Sequence, residues 1–118
     1  MTPSDPPRRR VRVLAAALGA LAMLEVAGAG TAAAQVGWSW ADALEAFVVT
    51  NGVMGLTFGG CGAILAWHRS RNPIGWLFLG AGLAHATSAV AAPATLLADQ
   101  VGAPAPVVRG LVTVFVYA

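Results

Sequence analysis

The feature that most constrains this chain is a series of long apolar stretches separated by short polar segments. They run from Val11 to Ala34, from about Leu44 to Trp67 and from about Pro73 to Leu97. At a rise of 1.5 Å per residue, about 20 helical residues cross a hydrocarbon core of about 30 Å. A fourth stretch, residues 106–118, is too short to span. The pattern predicts an all-α, polytopic membrane helix bundle with three full transmembrane helices and a truncated fourth.

The composition argues against an ordinary soluble domain and against several functional classes. Charged residues make up 10% of the chain, against about 25% in globular proteins. The basic residues are all arginines and form clusters rather than one stripe, so we expect no nucleic-acid partner. The single cysteine, Cys61, allows no disulfide and is expected to be a small buried hydrophobe. We find no nucleotide-binding loop and no metal-ligand spacing, and therefore expect no cofactor, metal site or catalytic residues.

The positions of the arginines predict the orientation in the membrane. Arg8, Arg9, Arg10 and Arg12 precede the first span, and two more arginines lie between the second and third. Arginine is enriched in cytoplasmic segments, so both regions are expected in the cytoplasm, with the N-terminus inside. Residues 1–10, rich in proline and polar residues, are expected to be a disordered cytoplasmic tail.

The first apolar stretch also has a second interpretation. Arg8 to Arg10, an apolar core and the small residues TAAAQ resemble a secretory signal peptide that would be cleaved before Gln35. The stretch is longer than a typical signal-peptide core of about 7–15 residues, and Glu25 interrupts it. We therefore favour a retained helix, with cleavage of residues 1–34 as the alternative.

Local signals predict how the helices begin. In WHRSRNPIGW, residues 67–76, Asn72 is a favoured N-cap and Pro73 suits the first helical position. A residue before proline avoids the helical region, so only about Arg69 to Arg71 remain for a tight turn between antiparallel helices. Near the other face, SWAD predicts a capping box between Ser39 and Asp42.

Three polar residues inside the apolar stretches are the candidates for sensing, because an unpaired charge in the bilayer is costly. They are Glu25, Asn51 and His85. Glu25 and His85 fall at overlapping depths, so one hypothesis is a direct pair that responds to protons or cations. The alternative is a protonated Glu25 and a neutral His85 bonded to Thr or Ser. Gly55 and Gly59 form a GxxxG pattern, which predicts close packing against another helix.

Residues 55–86, GLTFGGCGAILAWHRSRNPIGWLFLGAGLAHA, resemble the membrane-sensor region of actinobacterial-type sensor histidine kinases, in which a turn like RxRNPIGWLL joins two membrane helices. The resemblance implies an input region in a bacterial plasma membrane, with the lipid bilayer and a second copy or other membrane helices as partners. The residues that match the motif are Arg69, Arg71, Asn72, Pro73, Ile74, Gly75, Trp76 and Leu77.

The family's phospho-accepting helix pair and ATP-binding domain are missing from the 118 residues. We therefore expect a fragment of a two-component sensor that is itself not an enzyme. Neither His68, at the membrane border, nor His85, within a span, suits phospho-acceptance. A stand-alone small integral membrane protein that binds a partner through its glycine-rich face is the main alternative. A transporter-like role is a third, without the repeats typical of that class.

Overall fold

The structure, a computed structural model, describes residues 6–118 and is built of helices throughout that range, with no strand in it. The three long helices pack against one another, the last helix packs on the third long one, and a short helix contacts the second. The whole measures 55 × 28 × 22 Å. In chain order the helices are α1 (Pro6–Gln35), α2 (Trp40–Glu45), α3 (Val48–His68), α4 (Pro73–Gln100) and α5 (Ala105–Tyr117).

Three of these helices, α1, α3 and α4, are long and apolar enough to cross a membrane. The fourth apolar helix, α5, has only 13 residues. Large apolar side chains point away from the bundle, including Leu24 and Leu77, each 70% exposed. An outer surface of this kind suits lipid rather than water. The predicted all-helical class, with three membrane-length helices and a shorter fourth, is confirmed.

The first helix begins earlier than the sequence suggested. The disordered tail was expected to reach Arg10, but residues 6–10 already form the first turns of α1. Proline is well tolerated at the start of a helix and arginine is a good helix former, which explains this extension. Residues 1–5 of the expected tail lie outside the described residues.

The second apolar stretch is divided near its start. Leu44 belongs to α2, and the membrane-length helix α3 begins only at Val48. Ser39 caps α2 in the predicted capping box: the backbone N–H of Asp42 donates to Ser39 Oγ at 3.2 Å, and the backbone N–H of Ser39 donates to Asp42 Oδ2 at 2.7 Å. Phe47 then adopts a left-handed conformation with φ 58°, which separates the two helices.

Small residues line the faces where the long helices meet, at alternating spacings of three and four residues in α3 and α4 and at spacings of four, three and seven in α1. This spacing averages 3.5 residues, the repeat that keeps one face of a helix against a partner. Because most of these side chains are no larger than a methyl group, the backbones approach closely. The buried series are Ala15, Gly19, Ala22 and Ala29 in α1, Gly52, Gly55, Gly59, Gly62 and Ala66 in α3, and Gly75, Leu79, Gly82, Ala86 and Ala89 in α4.

The contact between α3 and α4 is the closest of these. A Cβ atom added at Gly82 would overlap the backbone nitrogen of Gly59, and one added at Gly62 would overlap that of Leu79. A Cβ added at Gly55 would lie 3.0 Å from Ala86 Cβ. Gly55 and Gly59, the GxxxG pair, therefore lie inside this chain's own bundle.

Candidate functional site

The polar residues within the membrane-length helices form two separate hydrogen-bonded groups. Glu25 accepts hydrogen bonds from the Thr87 hydroxyl, whereas His85 bonds to Asn51. The hypothesis of a direct Glu25–His85 pair is therefore not what the structure shows. His85 and Thr87 are two residues apart on α4, so their side chains point about 200° apart around the helix. His85 consequently faces α3, while Thr87 faces α1.

The His85 group is a chain of three hydrogen bonds that connects α4, α3 and α5. His85 Nδ1 lies 3.1 Å from Asn51 Oδ1, and Asn51 Nδ2 donates to Ser88 Oγ at 3.2 Å. The Ser88 hydroxyl in turn donates to the carbonyl of Phe115 at 3.0 Å. We call these four residues the polar relay.

The direction of the bonds in the polar relay fixes the protonation of one histidine nitrogen. Because the Asn51 amide nitrogen donates to Ser88, its oxygen is the atom that faces His85, and an amide oxygen only accepts. In this arrangement His85 Nδ1–H is the donor to Asn51 Oδ1.

One aromatic ring, that of Phe58, lies beside His85. The Phe58 ring centroid lies 6.2 Å from that of His85 and 5.6 Å from that of Phe78. Phe58 belongs to α3, so the imidazole is held between a polar contact and an aromatic contact on the same neighbouring helix. His85 therefore contacts α3 through both an amide and an aromatic ring.

The Glu25 group is simpler and joins α1 to α4. The Thr87 hydroxyl lies 3.1 Å from each carboxyl oxygen of Glu25, and both residues are half-buried. A single hydroxyl shared between the two oxygens fills only part of the acceptor capacity of a carboxyl group. Glu25 thus keeps acceptor capacity for a further donor.

The turn after α3 has the local geometry that its sequence predicts. Asn72 Oδ1 accepts from the backbone N–H of Ile74 at 3.1 Å, and α4 begins at Pro73. Trp76 Nε1 donates to the carbonyl of Ser70 at 2.9 Å, which ties the first turn of α4 to the preceding loop. Gly75 is buried, and a Cβ there would lie 2.8 Å from the Ala66 backbone nitrogen. Motif residues 72–76 therefore all take part in the local geometry of the hairpin.

The two arginines of the motif have a different environment. Arg69 and Arg71 are exposed and line a cleft of about 460 Å³, which they share with the start of α1. Four arginines border this cleft. The arrangement places the basic part of the motif at one end of the bundle, away from the polar relay.

An apolar groove of about 420 Å³ lies at the opposite end of the bundle, between α1, α2 and α3. Trp38 and Trp40 border it, together with small and aliphatic side chains. The neighbouring Asp42 carboxylate accepts hydrogen bonds from the side chain and the backbone of Ser39, which lowers its pKa. Apolar packing joins the helices at this end, where a buried cluster is formed by Ala29, Ala43, Val48, Ala89 and Ala92.

Sequence reasoning did not single out Thr87 or Ser88, although both bind the predicted polar residues. Threonine and serine are frequent in membrane helices, so neither stands out by residue type. Their position in the AHATSA segment, next to His85, was the available signal. The location predicted for Cys61 was wrong, because it is exposed on the outer surface of the helix rather than buried.

Among residues 6–118 no three His, Cys, Asp or Glu side chains come close enough together to hold a metal ion. The polar relay consists of one imidazole, one amide, one hydroxyl and one backbone carbonyl. Comparison of the chain with protein-family models, with curated proteins and with solved structures found no match.

Proposed function

We propose that this chain is the membrane-embedded input region of a two-component sensor of the histidine-kinase type, in the plasma membrane of a bacterium. The observation that carries the proposal is the polar relay, which connects a titratable residue inside the bundle to α5, the last helix of the chain. A sensor needs an element whose change is transmitted along the chain. The resemblance of residues 69–77 to the sensor turn RxRNPIGWLL adds support.

In this proposal the relay links the state of His85 to the position of α5. Ser88 is 5% exposed and donates to the carbonyl of Phe115, in the final turns of α5. A cue that alters the bonding of His85 changes the orientation of Asn51 and the hydroxyl that Ser88 offers to α5. Small helix shifts of about 1–2 Å are a usual output of such switches.

The packing of the glycines weighs against the stand-alone alternative. That alternative used the glycine-rich face of α3 to bind another membrane protein. Gly55 and Gly59 are instead covered by Ala86, Ala22 and Gly82 of the same chain. The face therefore serves the internal fold, and an external partner would need a different surface.

The reading frame of the gene beyond codon 118 is the direct test of the proposal. We expect the frame to continue into a helix pair with a phospho-accepting histidine, followed by an ATP-binding domain with glycine-rich loops. A stop codon directly after codon 118, followed by an unrelated gene, would contradict the assignment and favour a stand-alone membrane protein.

The orientation of the bundle gives a separate prediction. In a Cys61→Ala background, a cysteine placed at Ser70 is expected to be protected from an impermeant maleimide added outside intact cells, because arginine-rich ends stay in the cytoplasm. A cysteine at Ala103, in the connection between α4 and α5, is expected to react. The reversed labelling pattern would refute the proposed topology, and permeabilised cells, in which both sites react, provide the control.

The retention of α1 can be checked on the same protein. Ala15, Ala22 and Ala29 are each at most 1% exposed in contact with the rest of the bundle. Such burial supports a helix that remains part of the folded protein. N-terminal sequencing of membrane-extracted protein is expected to begin in the first residues of the chain, whereas a start near Gln35 would establish signal-peptide cleavage.

A further inference from the structure

At one end of the bundle, the start of α1 and the turn between α3 and α4 enclose a cleft of about 460 Å³. Its size falls within the range of about 300–1,000 Å³ typical of small-molecule sites. Neither of the two hydrogen-bonded groups of the membrane interior contributes to it. The side chains that matter for binding are Arg8, Arg12, Trp67, His68, Arg69 and Arg71.

Arg12, Arg69 and Arg71 bring positive charge to the described part of the cleft, and no acidic side chain belongs to its described lining. The acidic residues of the described chain, Glu25, Asp42, Glu45 and Asp99, belong to other parts of the helices. Like charges held together in this way favour an anion between them. Guanidinium groups bind phosphate oxygens with two parallel hydrogen bonds. All basic side chains of the cleft other than His68 are arginines, and the chain contains no lysine.

The cleft is also held in shape before any ligand arrives. The Arg12 guanidinium carbon lies 6.0 Å from the centroid of the Trp67 ring, a cation–π contact that positions this arginine. On the other wall, the bond from Trp76 Nε1 to the Ser70 carbonyl and the Asn72 cap fix the backbone that carries Arg69 and Arg71. Less ordering is therefore needed when an anion binds.

The position of the cleft along the bundle identifies the source of the anion. Val11, where the first apolar stretch begins, lines the cleft, as does Trp67 at the end of the second. Tryptophan and arginine at the ends of membrane spans lie at the level of the lipid headgroups. Basic pockets between membrane helices at this depth bind the headgroups of anionic lipids.

We propose that this cleft is a binding site for the phosphate of an anionic glycerophospholipid. In this site Arg12, Arg69 and Arg71 contact the phosphate oxygens, and the acyl chains extend along the apolar surface of the bundle. The proposal does not depend on the sensor function, because any integral membrane protein with this cleft would bind the same lipid.

The test is lipid binding by the full chain in a neutral detergent, measured by native mass spectrometry with phosphatidylglycerol. We expect a double variant, Arg12→Gln with Arg71→Gln, to weaken binding by about tenfold or more, since it removes two guanidinium groups that make charge-assisted hydrogen bonds to the phosphate. The matched control is Arg9→Gln with Arg10→Gln, which removes the same charge from the same end of the bundle but from outside the cleft lining. This control is expected to change affinity by less than about twofold.

A second variant protects the test against misfolding. This variant is Arg69→Gln with Arg71→Gln. Both side chains are exposed, so their replacement should not disturb packing, and the Arg12–Trp67 contact stays intact. An unchanged helical circular dichroism spectrum will show that this variant is folded, and it should lose affinity as the first does. Equal loss in the Arg9/Arg10 control would show diffuse attraction and overturn the site. Equal binding of phosphatidylcholine, or displacement of phosphatidylglycerol by equimolar inorganic phosphate, would overturn the anionic lipid as its ligand.

Discussion

Replacing Gly82 by alanine is expected to lower the free energy of unfolding of the bundle by about 2–3 kcal/mol, the upper part of the range for overpacking a close contact. The added Cβ would overlap the backbone nitrogen of Gly59 and lie 2.9 Å from the carbonyl carbon of Phe58. Backbone atoms cannot rotate aside as a flexible side chain does, so α3 and α4 must separate. The measurement is unfolding by sodium dodecyl sulfate in mixed micelles, followed by circular dichroism.

Gly80 provides a matched control two residues away on the same helix. A Cβ at Gly80 meets nothing within 4 Å. Gly80→Ala is therefore expected to leave stability unchanged or to raise it by up to about 1 kcal/mol through the better helix propensity of alanine. The change in helix propensity from glycine to alanine is the same at both positions, so only the contact with α3 can make their effects differ. Similar destabilisation by both substitutions would therefore contradict the close α3–α4 contact.

Much of the architecture follows from the sequence because it depends on local or one-dimensional signals. Apolar length determines which helices can cross a membrane, and the start of α4 follows from Asn72 and Pro73. The capping box at Ser39 and Asp42 is equally local. The break at Phe47 is different, since a left-handed phenylalanine has no sequence signature.

The pairing of polar residues was less predictable because it depends on the rotation of each helix about its axis. Depth along the bundle placed Glu25 and His85 at the same level, but rotation sends them to different neighbours. The alternating three- and four-residue spacing of small side chains contains this rotational information. Gly62 extends the spacing of the GxxxG pair along α3, and Gly82 belongs to the matching series on α4. Because the chain contains 14 glycines, this spacing is more informative than any single glycine motif.

The rotation has a chemical consequence, because the face of α4 that carries His85 also carries Ser88 one turn later. Asn51 of α3 contacts both through its two amide atoms. An amide is suited to this position since its oxygen accepts from His85 while its nitrogen donates to Ser88, whereas a carboxylate has no hydrogen to donate to Ser88. Asn51 is accordingly the residue on which the polar relay depends most.

Substitution of Asn51 by leucine, which has a similar shape, is expected to lower the free energy of unfolding by about 1–3 kcal/mol, the cost of leaving hydrogen-bonding groups without partners in the interior. His85 Nδ1–H loses its acceptor and Ser88 Oγ loses its donor. The same detergent titration that tests Gly82 measures this loss. A value within about 0.5 kcal/mol of the unmodified protein would show that the relay adds nothing to stability.

Two double-mutant cycles then separate the polar relay from the rejected Glu25–His85 pair. In the cycle of Asn51→Leu with His85→Leu, the second change removes the group that the first leaves unpaired, so the double variant is expected to be more stable than the sum of the single effects by about 0.6–1.7 kcal/mol. In the cycle of Glu25→Gln with His85→Leu the coupling is expected to lie within about 0.5 kcal/mol of zero, because the two side chains bind different partners. Strong coupling in the second cycle with none in the first would restore the direct pair and remove the relay. The predicted order is the one that the rotation of α4 requires, with His85 directed toward Asn51 on α3 and Thr87 toward Glu25 on α1.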